Sequence, residues 1–250
     1  MNGISFLSAG EQGLVVEFGA LIDPDVNRRV HRTGELIAAA SIAGVIEIVP
    51  TYRSLLVYFD PLTVARAELS ERISLLIRDD KQQTAQAQAA RIVEIPVGYG
   101  GELGPDLDFV ASHTGLAPEE VIAIHTSVPY LVYMLGFTPG FPYLGGMSER
   151  IAAPRLEKPR TAIPGGSVGI AGAQTGIYPI TSPGGWQIIG RTPVKPFNPA
   201  VAEPFLFAAG DYLQFKAVTA AEYAAIAHEV AAGTYAPVYR TMTGKGGDRQ

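Results

Sequence analysis

The chain contains no cysteine, which excludes disulfides, thiolate metal sites and a cysteine nucleophile. Histidine is scarce as well: His31, His113, His125 and His228 are the only four. No two of them have the spacing of ligands on one helix face, and no HExxH or carboxylate cluster accompanies them. No protein-bound metal site is therefore expected. No apolar run approaches the length of a membrane span. The start, MNGISFLSAGEQG, lacks the basic segment and apolar block of a signal peptide. A cytoplasmic protein is the simplest expectation. The formal net charge of −5 weighs against general nucleic-acid binding, which needs a basic face. There is no GxxxxGK[ST], and no GxGxxG follows a strand, so if ATP is used a standard P-loop does not hold it.

What the chain does have is apolar content, glycine and proline. At 250 residues and 47% hydrophobic it can bury a full core, in one large domain or two modest ones. Residues 4–8 and 14–18 read as strands. Asp23-Pro24 opens a helix carrying Val26, Val30, Leu36 and Ile37. Residues 45–49 and 54–59 read as a second strand pair, and Asp60-Pro61 opens a helix with Leu69, Ile73, Leu76 and Ile77 inward. Residues 1–80 are thus a small β-β-α-β-β-α unit, an antiparallel sheet with helices on one face. Residues 81–90 are polar and Gln/Ala-rich and read as a linker, or as the frayed end of the preceding helix.

Residues 91–232 form the second domain. A strand over 91–97 leads into a glycine loop, then short helices over 106–114 and 118–125. Strands follow over 130–137, 168–171, 177–180, 187–189, 205–208 and 212–215, and a terminal helix over 219–232. Many short strands joined by tight turns indicate a barrel or sandwich. Residues 233–250 are expected to be a tail.

The second domain is organised around residues 136–193, which hold 12 of the 28 glycines and the only tryptophan, Trp186. This stretch carries five Lys/Arg against two Glu and no Asp, opposite in sign to the whole chain. Glycine and proline at that density make turns and let the backbone approach a ligand or partner. Gly165-Gly166-Ser167-Val168-Gly169 matches GxSxG, with Asp211 and His228 in hydrolase order. A nucleophile elbow, however, needs a strand before it and a long helix after it. Pro164 precedes this one and Ile170-Ala171-Gly172 follows, so it reads as a turn between strands.

Pro154-Arg155 and Pro159-Arg160 repeat a pair in which proline restrains the backbone beneath a guanidinium, and Arg191 closes the stretch. Arg155, Arg160 and Arg191 are candidates to clamp a carboxylate or phosphate, since arginine offers a planar donor fork. Their alternative is a solvated surface role. His125 and Tyr133 are candidates for proton transfer or for holding a carbonyl, although a lone histidine is more commonly a core residue. Gln174, Thr175 and Tyr178 could read an amide or ring edge, and Tyr178 and Trp186 serve equally well as packing. Phe137, Phe141 and Tyr143 are expected to cover the barrel end. With no Asp, no Cys and no close carboxylate pair, the stretch suits binding and positioning better than bond-breaking. It reads as part of a site that a partner completes.

The motifs resemble the KipI and allophanate hydrolase subunit 1 family, which includes the B subunit of the bacterial ATP-dependent 5-oxoprolinase. The residues that carry the resemblance are Ile95-Pro96-Val97 with Tyr99-Gly100-Gly101, Glu119-Glu120-Val121-Ile122 with His125, GFTPGFPYLGG, the two Pro-Arg pairs, GSVGIAG, QTGIYP and SPGGWQIIGRTP. They run from about residue 92 to 215. Gly98 stands where the family commonly has Cys, and Gly165 where it commonly has Ala. The resemblance implies an α+β N-terminal domain followed by a mainly-β, cyclophilin-like barrel. It implies assembly with a homologous C-type subunit and a separate A-type subunit. The implied reaction is opening of the lactam 5-oxo-L-proline to glutamate with ATP as co-substrate. Two other roles stand beside it: a KipI-type inhibitor of a sensor histidine kinase, and a carboxyltransferase-like part as in urea carboxylase. The second would need biotin on another chain, because no biotin-attachment lysine motif is present.

Overall fold

Asp23 starts the first helix as its N-cap. Its Oδ1 accepts from the N–H of Asp25 at 2.8 Å and of Val26 at 3.3 Å, with Pro24 in the first turn. The helix, α1 (Pro24–Ala40), ends on Ser41 in the left-handed conformation. The computed structural model describes residues 3–80 and 90–242, in two compact units, Met1–Ala87 and Gln88–Gln250.

The first unit is β1 (Ser5–Ala9), β2 (Gly13–Glu17), α1, β3 (Val45–Pro50), β4 (Ser54–Phe59) and α2 (Arg66–Asp79). Its antiparallel sheet has the order β1-β2-β4-β3. Alternation buries Leu14 and Val16 of β2, with Phe18 just beyond it, and Leu55, Val57 and Phe59 on its neighbour. Leu69, Ile73 and Ile77 of α2 pack on the same face, and the buried side of α1 is Asn27, Val30, Thr33 and Ile37. Leu36 and Val26 are only partly covered. The inward Asn27 donates from Nδ2 to the carbonyls of Thr51 and Tyr52 at 3.0 and 3.2 Å, which satisfies the β3–β4 turn.

The second unit is built on β5 (Arg91–Tyr99). It runs parallel to β13 (Tyr212–Ala217) along its length and antiparallel to β12 (Gln187–Arg191) at its end. From β12 the path continues to β9 (Ser167–Ala171) and β10 (Gln174–Ile177). From β13 it continues to β6 (Tyr130–Leu135) and β7 (Pro142–Gly145). The two ends, β7 and β10, lie alongside each other, so the barrel is nearly closed. Between β5 and β6 come α3 (Leu107–Thr114) and α4 (Pro118–Thr126). A separate two-stranded ladder joins β8 (Arg160–Ile163) to β11 (Ser182–Gly184), and α5 (Ala220–Ala232) follows β13.

Four expectations need correction. Asp60-Pro61 does not open α2: Asp60 Oδ1 accepts from the Leu62 N–H at 3.0 Å in a turn, and the helix begins at Arg66. The strand expected over 177–180 is β10, which ends at Ile177. Residues 205–208 are not a strand: Phe205 makes a single bridge to Phe197, and the N–H of Ala208 is taken by Asp211 Oδ2 at 2.7 Å. Part of the expected tail is ordered as β14 (Tyr239–Thr241), antiparallel to the first half of β5. It is held there by Arg240 on Glu94 at 2.5 Å, and by Arg91, whose guanidinium lies 4.9 Å from the Tyr239 ring centroid. Residues 243–250 of that tail, and 81–89 of the expected linker, lie outside the described residues. No described helix is long and apolar enough to cross a membrane.

Candidate functional site

The two Pro-Arg pairs place their arginines near one phenol. Tyr178, 2% exposed, feels the positive charge of both Arg155 and Arg160. Burial raises its pKa. A hydrogen bond from the backbone of Trp186 and the two guanidinium charges pull in the opposite direction. Close approach here depends on a glycine: a Cβ on Gly184 would lie 2.3 Å from Tyr178 Oη.

The arginines differ in what holds them. Arg160, on β8, donates from Nη2 to Asp106 Oδ1 at 2.7 Å, with a longer contact from Nη1 to the Trp186 carbonyl at 3.4 Å. Asp106 Oδ2 accepts from the Ile188 N–H at 2.6 Å, and its own N–H donates to the Ile188 carbonyl at 2.9 Å. Asp106 stands at the N-cap of α3 but makes no cap bond. Its carboxylate instead joins α3, β8 and β12.

Arg155 is exposed, and among the described residues no hydrogen bond or ion pair engages its side chain. Its backbone is pinned on both sides. The Pro154 carbonyl accepts from Gln187 Nε2 at 2.9 Å, and the Leu156 N–H donates to the Gly185 carbonyl at 2.7 Å. A fixed stem therefore carries an uncommitted guanidinium.

Phe141 is the hub of the adjoining aromatic cluster. It meets Phe137, Tyr143, Tyr178 and Trp186 edge-on, at centroid distances of 5.5, 5.3, 5.7 and 5.8 Å. Trp186 lies over β9 and β10 where Gly169 and Gly176 leave room, since a Cβ at either would come within 3.2 Å of its side chain.

His125 and Thr175 belong to a different network, inside the barrel. His125 is fully buried and stacks on Phe215 at 4.5 Å. Its Nε2 is 2.8 Å from Thr175 Oγ1 and its Nδ1 2.7 Å from Tyr99 Oη. Thr175 Oγ1 donates onward to the Gly169 carbonyl at 3.1 Å, so it accepts from the His125 Nε2–H, and Tyr99 donates to Nδ1. Burial lowers the His125 pKa to about 3, which keeps the ring neutral. Burial likewise holds the Tyr99 and Tyr130 phenols protonated, and Tyr130 Oη donates to the His125 carbonyl at 2.8 Å. With both nitrogens engaged and no exposed surface, His125 is not available for proton transfer to a substrate. It ties α4 to β5 and β10, and the expectation of a catalytic role is corrected accordingly.

Tyr133 sits in the bulge of β6, with its ring over Gly145, where a Cβ would come within 2.1 Å. It is 5% exposed. Gln174 begins β10, in the hairpin whose Gly172 bridges Ala153, close in sequence to Arg155. Arg191 is held differently from the other two arginines. Its Nε donates to the Gly165 carbonyl at 3.1 Å, and its charge acts on Tyr223 of α5. Ser167 of the GxSxG is 2% exposed within β9, and no helix follows it.

Of the predicted residues, then, Arg155, Arg160, Tyr178 and Trp186 come together, while His125 with Thr175 forms a separate buried network, Tyr133 is buried over Gly145 and Arg191 is engaged by the Gly165 carbonyl. Asp106 and Gln187 were not predicted. An Asp before a helix reads as a cap, and nothing local signals that its carboxylate meets a strand 82 residues away.

Residues 4–207 match the model of the carboxyltransferase domain, subdomain C and D. The B subunit of 5-oxoprolinase from Bacillus subtilis (strain 168) is 47% identical over 228 residues, covering 88% of this chain and 95% of that protein. The corresponding B subunit of 5-oxoprolinase from Escherichia coli O157:H7 is 40% identical over 207 residues, 82% of this chain and 92% of that protein. Among solved structures, TTHA0988 is 38% identical with a TM-score of 0.73. The match covers 83% of this chain but only 40% of that longer one.

Proposed function

This chain belongs to the family of 5-oxoprolinase B subunits and works with other subunits, and from that premise we propose that it supplies the carboxylate-binding wall of a composite site for 5-oxo-L-proline. Arg155 carries the reading. It has a pinned backbone, a side chain without a protein partner, and a second guanidinium nearby that Asp106 already holds. Such a fork fits a carboxylate or a phosphate, and 5-oxo-L-proline carries one free carboxylate. Trp186, partly exposed, borders the same surface and would face the lactam ring, with the buried Tyr178 behind it.

The reaction is opening of the ring amide with ATP as co-substrate. Resonance makes a lactam carbonyl a poor electrophile, so transfer of the γ-phosphoryl group of ATP to its oxygen, with ADP leaving, is a sensible activation. Water then adds to that carbon, the C–N bond breaks to free the amine and leave an acyl phosphate, and hydrolysis of the acyl phosphate releases inorganic phosphate and glutamate. The residues grouped here, Arg155, Arg160, Tyr178 and Trp186, include no carboxylate pair and no histidine to drive those steps. The phosphoryl-transfer groups and the nucleotide site are therefore assigned to the partners, a homologous C-type subunit and a separate A-type subunit. The experiment is glutamate formation from 5-oxoproline and ATP by the assembled subunits, with and without this chain. Activity that requires the chain, and a KM for 5-oxoproline that rises in Arg155→Ala, support the reading. Equal activity without the chain ends it.

A further inference from the structure

Gln187 is a polar residue in an apolar place. It opens β12 directly opposite Ile170 of β9, which belongs to the barrel core. Cross-strand partners share a face, so the Gln187 side chain lies on the same face as Ile170, and the residue is 3% exposed. Packing at such a position is met by an apolar side chain. A buried amide needs a hydrogen-bond partner to offset its loss of water. Gln187 finds that partner outside the strand: its Nε2 donates to the Pro154 carbonyl at 2.9 Å. A carbonyl only accepts, which fixes the end of the amide that faces it.

What the amide holds is a segment with little else to hold it. Ala153 is the last buried residue before β8; Pro154, Arg155, Glu157, Lys158 and Pro159 are exposed, and Leu156 is only partly covered. Apolar burial therefore does not place this segment, and its hydrogen bonds do. The Ala153 carbonyl accepts from the Gly172 N–H at 2.7 Å, and the Leu156 N–H donates to the Gly185 carbonyl at 2.7 Å. Both are backbone to backbone. Pro154 has no N–H, so its carbonyl is its one hydrogen-bonding group, and a side chain supplies the donor immediately before Arg155. The same strand opening also fixes the second arginine. The Trp186 carbonyl faces Arg160 Nη1 at 3.4 Å, and the Ile188 N–H donates at 2.6 Å to Asp106, the carboxylate that takes Arg160 Nη2. Trp186, Gln187 and Ile188 thus act on both Pro-Arg pairs, but in different ways. Arg160 is tied through its guanidinium. Arg155 is tied only through its backbone, which leaves its guanidinium placed and free.

We propose that Gln187 is a positioning residue for the substrate: its amide sets the stem of Arg155 so that the guanidinium meets the carboxylate of 5-oxo-L-proline. The inference rests on the assignment of Arg155 above, and adds that the affinity Arg155 supplies depends on Gln187. A binding fork keeps its geometry only when held to within about 0.5 Å by groups behind it. Gln187 never touches the substrate in this role, and its effect passes through Arg155.

The test is a double-mutant cycle between Gln187 and Arg155, read as KM and kcat for 5-oxoproline with the assembled subunits. Gln187→Met is close to glutamine in length and volume and removes the donor. It should raise KM about fivefold, with kcat changed less. In an Arg155→Ala background the same substitution should change KM by less than about twofold, because nothing is left to position. Gln187→Glu keeps the shape, lacks the donor at neutral pH, and should repeat the methionine pattern. An equal rise of KM in both backgrounds would show a general loosening of the barrel and overturn the role. So would a fall in kcat at constant KM. If thermal melts show that neither variant folds, the barrel itself requires the amide and the positioning role is overturned. If Arg155→Ala leaves KM unchanged, the assignment of Arg155 fails and this inference with it. A raised KM in Arg155→Ala beside a wild-type KM in Gln187→Met defeats the positioning role alone.

Discussion

Arg160 Nη2 donates to Asp106 Oδ1 across 2.7 Å, while Arg155 has no such partner, so the two Pro-Arg pairs are not equivalent. One arginine is part of the frame and the other is available. Loss of Arg155 should therefore act on binding. Arg155→Ala is expected to raise KM for 5-oxoproline by about tenfold or more, with kcat changed less, since an ion-assisted hydrogen bond contributes about 1.5–3 kcal/mol. Melting temperature should stay at the wild-type value. Steady-state kinetics of the assembled enzyme check it, and an unchanged KM removes Arg155 from the site.

Arg160→Ala should act first on stability. It strips a donor from a carboxylate whose side chain is only 12% exposed. A cost of about 1–3 kcal/mol follows, reduced because the arginine itself is 32% exposed to water. Asp106→Asn should be milder, since Asn Oδ1 can still accept from Ile188. Urea unfolding of the isolated chain measures both. Equal midpoints for wild type and Arg160→Ala would show that the pair does not hold β8 to α3.

The buried His125 gives the fold a pH dependence with a definite sign. Its pKa is about 3 in the folded chain, against about 6.5 when unfolded. The unfolded state thus binds a proton that the folded state refuses. The stability contributed is fully present above pH 6.5 and is lost as pH falls from there toward 3. Between pH 7.5 and pH 5 the loss from this group is about 2 kcal/mol. His125→Gln should lower stability at pH 7.5 and flatten that dependence. Parallel urea titrations at the two pH values check it, and equal slopes for wild type and variant would contradict the neutral, buried ring.

Thr175 should matter through the same ring. Thr175→Val leaves the His125 Nε2–H without its acceptor, at a cost of about 1–3 kcal/mol, and Thr175→Ser restores the bond. If valine and serine behave alike in thermal melts, the network has been assigned wrongly.

Ser167 separates a turn from a nucleophile. Ser167→Ala should keep kcat within about threefold, because no step is assigned to its hydroxyl. Removal of a true serine nucleophile costs several orders of magnitude. A collapse of kcat in a folded variant would revive the elbow reading.

The first unit was legible because local pattern and tertiary need agree there. Alternating apolar residues in 14–18 and 55–59 and the proline-started α1 map directly onto its sheet and its cover, while α2 begins at Arg66, past the turn that Asp60-Pro61 makes. The barrel was legible in class but not in every strand. β7 and β11 were missed because they are short and carry proline or glycine, and β8 because it is short and lies between Pro159 and Pro164, all of which locally signal turns. β14 was hidden because its pairing depends on Glu94 and Arg91, far away in the chain. In the candidate site, the proline-restrained arginines and the glycines beneath Tyr178 and Trp186 could be found by composition. Asp106 and Gln187 could not, since each acts on backbone that only the folded barrel brings near. His125 stood out by residue type alone, and burial, which no local pattern encodes, decides its role.

The most direct test of a composite site is glutamate formation from 5-oxoproline and ATP, followed as the other purified subunits are titrated with this chain. Activity should be absent without the chain, should saturate at a fixed stoichiometry, and should need at least tenfold more 5-oxoproline when the added chain is Arg155→Ala. Full turnover by the other subunits alone, or identical curves for wild type and Arg155→Ala, would contradict it.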